Sequence, residues 1–75
     1  MNQLKTYDQF LEAIKREDIY LGDVPKHLRD EKMCLTDVNM DGMALEYVPK
    51  HLRDEKMCLI AVKQDGYALK FVPKH

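Results

Sequence analysis

Residues 24–35 recur without change as residues 48–59, a period of 24 residues, and the tetrapeptide Val-Pro-Lys-His returns a third time at 72–75. Residues 30–51 and 54–75 agree at 15 of 22 positions, and the differences include mild ones such as Thr36 to Ile60 and Tyr47 to Phe71. Carried backward, the same period finds a worn copy. Thr6 falls on Asp30 and Asp54, Leu11 on Leu35 and Leu59, and Ile14 on Val38 and Val62. The chain therefore reads as one domain, 1–75, made of three repeats: 6–29, 30–53 and 54–75. A unit this short cannot bury its apolar faces alone. Stacked neighbours bury a continuous core, and about three units are the minimum for stability.

Within each repeat the spacing predicts a pair of helices. Asp30 and Asp54 are suited to cap a first helix, because a carboxylate accepts from the free N–H groups of the first turn. Thr6 with Gln9 has the spacing of a capping box. The pairs Met57/Ala61 and Cys58/Val62, four residues apart, mark one buried stripe. Gly42 and Gly66 are expected to end these helices in the left-handed region; the first repeat breaks the pattern at Ile19, where glycine would be expected, so its boundary is less defined. A shorter second helix is predicted over 43–47 and 67–71. Pro49 and Pro73 stop it, since proline lacks an N–H and disfavours helix at the preceding valine. Residues 50–53 then form a single turn into the next cap.

The expected fold class is all-α, a short α-solenoid of stacked helical hairpins crossing near right angles. Its candidate core is Phe10, Leu11, Ile14, Leu21, Leu28, Met33, Cys34, Leu35, Val38, Leu45, Val48, Leu52, Cys58, Leu59, Val62, Leu69 and Val72. The first helix is the most polar copy, with Asp8, Gln9, Glu12, Lys15 and Arg16, and Glu12 can reach Arg16 one turn on. It suits an end facing water. The third repeat has no equivalent seal, and an unsealed apolar end calls for a partner.

The block Leu35-Thr36-Asp37-Val38, Gly42, Ala44-Leu45, Tyr47-Val48-Pro49 and Leu52-Arg53-Asp54 is similar to the DUF4116 repeat family. The third repeat, with Ala61-Val62, Gly66, Ala68-Leu69 and Phe71, looks closest. The resemblance covers 24–75 well and 6–23 poorly. It implies a bacterial helical repeat protein, often in tandem arrays and in some cases within large proteins of intracellular pathogens. It implies no known function and no catalytic residue.

Composition narrows the partners. Twelve Lys+Arg against thirteen Asp+Glu give a net charge of −1, not the basic balance of a nucleic-acid binder, and a sequence pI near 6.3 offers no polybasic attraction to a membrane. The longest apolar run, 57–62, is far below the roughly 18 residues of a membrane span. The start of the chain has no apolar stretch to serve as a signal peptide. Two cysteines make no disulfide scaffold, so a cytoplasmic location is expected unless export uses another signal. The chain has no serine, which excludes a serine nucleophile.

Four constellations bear on chemistry. Asp37, Asn39, Asp41 and Gly42 match the start of an EF-hand loop, but the twelfth position is Val48 rather than a bidentate glutamate. The expectation is a helix C-terminus with solvated polar groups. His27, His51 and His75 occur once per repeat. Equivalent residues on stacked helices stand roughly 8–10 Å apart, too far to share one zinc whose ligands each lie about 2 Å from it; a surface ladder is expected. Cys34 and Cys58 fall on the apolar stripe, where free cysteine is usually buried, although Arg29 and Lys32 would lower a thiol pKa if both were exposed. The mixed-sign run 27–32, copied at 51–56, reads as a solvated face with local pairs such as Lys50 with Asp54.

The residues favour a non-enzymatic protein-interaction or scaffolding module that takes no cofactor and no metal. The partner is a protein or a second copy of the chain, bound through the C-terminal repeat; nucleic acid and membrane are not expected. The surface proposed for it comprises His51, Arg53, Lys56, Tyr67, Phe71, Val72 and His75. Two alternatives stay open: a metal- or thiol-dependent site formed between chains by His51 or His75 and a cysteine, and a fragment of a longer array or effector with no independent role.

Overall fold

Each repeat opens on a side-chain oxygen that caps a helix. The computed structural model describes residues 4–73, and among them the three caps lie where the sequence places them. Thr6 starts α1 (Tyr7–Lys15) with a capping box: Gln9 N–H donates to Thr6 Oγ1 at 3.2 Å and Thr6 N–H donates to Gln9 Oε1 at 3.0 Å. Asp30 caps α2 (Glu31–Val38) by accepting from Met33 N–H at 2.9 Å. Asp54 caps α3 (Glu55–Gln64) by accepting from Met57 N–H at 2.8 Å. A cap of this kind is worth about 1 kcal/mol. Asp30 also accepts from the Tyr7 hydroxyl at 2.8 Å, which ties α1 to the start of α2.

The helix ends differ from the expectation. Neither Gly42 nor Gly66 has a positive φ. Each instead begins a 3₁₀ helix, Gly42–Tyr47 and Gly66–Phe71, opened by an aspartate whose carboxylate accepts from the N–H two residues on: Asp41 from Met43 and Asp65 from Tyr67, both at 3.0 Å. The left-handed residue among those described is Glu17, φ 63°. Asp18 N–H donates to Ala13 O and Glu17 N–H to Ile14 O, both at 2.9 Å, the pairing that closes a Schellman helix end. The break in the first repeat thus falls two residues before Ile19.

The second element of each repeat is a 3₁₀ helix rather than an α-helix. It has six residues in the second and third repeats, between an aspartate cap and a Val-Pro pair, and is shortened to Leu21–Asp23 in the first. Val24, Val48 and Val72 are extended, with ψ between 128° and 134°, as the clash with the following proline ring requires. The turns after Pro25 and Pro49 are 3₁₀ turns, Lys26–Leu28 and Lys50–Leu52. Its bonds repeat closely: Leu28 N–H to Pro25 O and Leu52 N–H to Pro49 O are both 2.9 Å.

The described residues are all helical or irregular, with no strand among them, and they form an elongated body of 41 × 20 × 15 Å. The core runs along it through Ile14, Leu21, Met33, Val38, Leu45, Val48 and Met57. Several expected core residues are not sealed. Leu59 is 56% and Leu69 64% exposed, while Leu28, Leu35, Leu52, Val62 and Val72 are half-buried. Val24, Ala13, Ala44 and Ala68 are buried although the pattern did not single them out. Small residues seat where elements pass closely. The same closeness explains Gly42: a Cβ there would collide with the Ala61 carbonyl oxygen and stand 3.0 Å from Asp65 N. Two ion pairs are also corrected. Glu12 meets Lys15 at 3.7 Å rather than Arg16, and Asp54 gives its carboxylate to the cap rather than to Lys50.

Candidate functional site

Three sets of equivalent apolar positions lose burial at the third repeat. Leu21 and Leu45 are both 0% exposed, and Leu69 in the same register is 64% exposed. Ile14 and Val38 are sealed, and Val62 is half-buried. Val24 and Val48 are sealed, and Val72 is half-buried. Each repeat covers these positions of the one before it, with α3 and its 3₁₀ helix lying over the 3₁₀ helix Gly42–Tyr47. At the third repeat they open into a groove of about 530 Å³, where Leu59, Val62, Leu69 and Val72 surround Cys58 and Pro73, and Arg53, Asp54 and Glu55 form its polar margin. Tyr67, 79% exposed, is on the last 3₁₀ helix.

The residues named from sequence scatter around this face. Val72 and Arg53 line it. Tyr67 and Lys56 are exposed. Phe71 is half-buried, and the Lys70 ammonium stands 5.3 Å from its ring centroid. His51 lies in a different groove, with Lys26, His27 and Lys50. His75 lies outside the described residues. Leu59 and Leu69, expected in the core, are exposed, and Val62 is half-buried at the groove. The comparison of Leu69 with Leu21 and Leu45 in its register shows the difference.

Arg53 has a structural task. Its guanidinium donates from Nε to Val48 O at 2.8 Å, from Nη2 to Glu46 O at 2.9 Å and from Nη1 to Phe71 O at 3.1 Å. Arg29 does the same one repeat earlier, to Val24 O, Gly22 O and Tyr47 O at 2.8, 3.1 and 3.2 Å. A planar fork with five donors suits such a set, whereas an ammonium does not. Each arginine holds the carbonyls at the end of its own repeat and one at the end of the next.

The thiols are placed for packing. Cys34 and Cys58 are free and buried, and their Sγ atoms lie 3.7 and 3.6 Å from the carbonyls of Arg29 and Arg53. Burial pushes the Cys34 thiol up to about 11, with Asp30 adding to it and Arg29 opposing. Burial also raises Cys58, with Asp54 adding and Arg53 opposing. A thiol held protonated is a poor nucleophile and a poor metal ligand. Among the described residues no group of three His, Cys, Asp or Glu side chains is placed to hold a metal.

The EF-hand-like residues are used separately. Asp41 caps a 3₁₀ helix, and Asn39 Nδ2 donates to Leu35 O at 2.9 Å. Asp37, expected in solvent, is buried and accepts from Leu21 N–H at 2.7 Å. Burial raises its carboxyl above the ordinary aspartate value, and the negative charges of Asp41 and Glu17 add to this against the Leu21 hydrogen bond. Sequence reasoning missed this contact because it joins residues 16 apart.

A family model described as a domain of unknown function, DUF4116, matches residues 30–75, more than half of the chain. The chain belongs to the DUF4116 family. The DUF4116 match spans the second and third repeats and leaves out the polar first one, which carries the Schellman end at Glu17. Neither a curated protein nor a solved structure gives a match. In this DUF4116 chain no helix among the described residues is long and apolar enough to cross a membrane.

Proposed function

We propose that this DUF4116 chain is a short α-solenoid that acts as a non-catalytic protein-interaction or scaffolding module, binding through the apolar face of its third repeat. One observation carries the reading: Leu69 is 64% exposed where Leu21 and Leu45, in the same register, are sealed. The exposed leucines are neighbours around one groove rather than scattered singly, and contiguous apolar patches of this kind mark interaction sites. The repetition of the arginine forks and aspartate caps supports the solenoid part of the proposal. Two free, buried thiols fit a reducing, cytoplasmic setting.

The test is a photo-crosslinking residue placed at position 69, with position 12 on exposed α1 as control, in cells that express the protein. Protein adducts at position 69 and none at position 12 support the reading. Adducts at neither position, or equally at both, would refute it.

A further inference from the structure

The geometry points to a specific occupant for this face: a helical unit of the same repeat class, docked by the step that relates the second repeat to the third. This rests on the reading of the face as a binding surface. The decisive comparison is between two glycines. Gly42 lies under the backbone of α3, so that a Cβ there would strike the Ala61 carbonyl oxygen. Gly66 occupies the same register one repeat on, and nothing lies within 4 Å of the Cβ it lacks. It also has no positive φ that would call for glycine. The chain thus keeps a glycine where its own fold does not need one, at the point where an equivalent unit would bring its helix backbone.

The apolar face continues the existing interface in the same sense, since Val62, Leu69 and Val72 are the positions that the next repeat covers at Val38, Leu45 and Val48. The step also tells what the occupant presents. Repeat three brings buried Met57, Ala61 and Ala68 onto repeat two. The first repeat of this chain carries Gln9, Ala13 and exposed Tyr20 in those registers. A polar glutamine and a bulky tyrosine replace a buried methionine and a buried alanine, so a head-to-tail second copy does not fit. The docked unit has the pattern of the third repeat, with methionine at the first of these registers and small residues at the other two.

A single unit does not fold alone, so the probe is joined in cis: the full chain followed by Leu-Arg and a copy of residues 54–75, which keeps the 24-residue period. The expected result is one cooperative thermal transition, raised by more than about 5 °C over the 75-residue chain. Gly66→Ala is expected to leave the 75-residue chain's melting temperature unchanged or raised by a few degrees and to abolish the rise in the extended chain. An unchanged melting temperature on extension would overturn the inference, as would Gly66→Ala acting equally in both chains. Face-to-face dimerisation of the 75-residue chain, seen by sedimentation and lost with Leu69→Lys, would also overturn it. If the crosslinks at position 69 persist when the extension has no effect, the face binds, but not a repeat unit; if both fail, the functional reading fails too.

Discussion

The Asp37 carboxylate accepts a 2.7 Å hydrogen bond from the Leu21 N–H, and through it α2 caps the 3₁₀ helix of the preceding repeat. Burial holds the Asp37 carboxyl above its ordinary value, so its protonated form is the one that folding favours. Its contribution to stability is then fully present below about 3.8 and declines as pH rises through the raised native value. Asp37→Asn keeps an acceptor oxygen and has no proton to lose. The melting temperature of the wild type should therefore fall relative to Asp37→Asn as pH increases from about 3.8 toward neutrality. Asp37→Ala strands the Leu21 N–H and should cost about 1–3 kcal/mol at neutral pH. Parallel pH dependence of the wild type and the asparagine variant would contradict this account.

Gly42→Ala and Gly66→Ala make opposite predictions from the same residue change. At Gly42 the obstacle is the backbone of α3, which cannot swing aside as a side chain can. Overpacking of this kind costs about 1–3 kcal/mol. At Gly66 the space is open and φ is not positive, so alanine should be neutral or stabilise by about 0.4–1 kcal/mol through the unfolded chain. Urea denaturation of the two single variants reads the difference directly.

Arg53→Lys should destabilise the fold by about 2 kcal/mol, because one ammonium cannot serve carbonyls of Val48, Glu46 and Phe71 together. These acceptors are backbone groups and not carboxylates, so the loss should remain in 1 M salt, where exposed ion pairs are screened. A loss that disappears with salt would indicate an ion pair instead. Arg29→Lys is expected to behave alike, since its three acceptors are the equivalent ones.

The two thiols should react at different rates. Cys34 is fully buried, whereas Cys58 borders the open groove at 7% exposure. Both are raised by burial, so alkylation of the native protein by iodoacetamide at pH 8 should be slow. Peptide mass spectrometry should find Cys58 modified ahead of Cys34, and both should become equally fast in denaturant. Equal native rates would mean that the molecule opens globally before either thiol reacts.

Much of the local structure is legible in the chain because it depends on neighbours in sequence. The caps at Thr6, Asp30 and Asp54 need only an oxygen and an N–H three residues on. The extended valines before proline need only the proline ring. The glycines illustrate the limit. Helix ending by a left-handed glycine is a local property, and it was the wrong one for Gly42 and Gly66; what Gly42 answers to is the Ala61 carbonyl 19 residues away. Tyr20 and Gln9 likewise look unremarkable until they are compared with the buried alanines and methionines in their registers.

The sequence by itself determined the 24-residue period, the helical class, the caps and breaks of each unit, and the family to which the chain belongs. These follow from residue identity and short spacing. Tertiary structure alone decided which of two identical residues is core and which is surface. Leu45 and Leu69 lie in the same register between similar neighbours, yet one is sealed and the other is open. Burial is set by what packs against a residue, and only the position of each unit in the stack supplies that. For the same reason Arg53 became a clamp on three carbonyls, Asp37 a buried cap, and Leu69 a residue of an exposed groove.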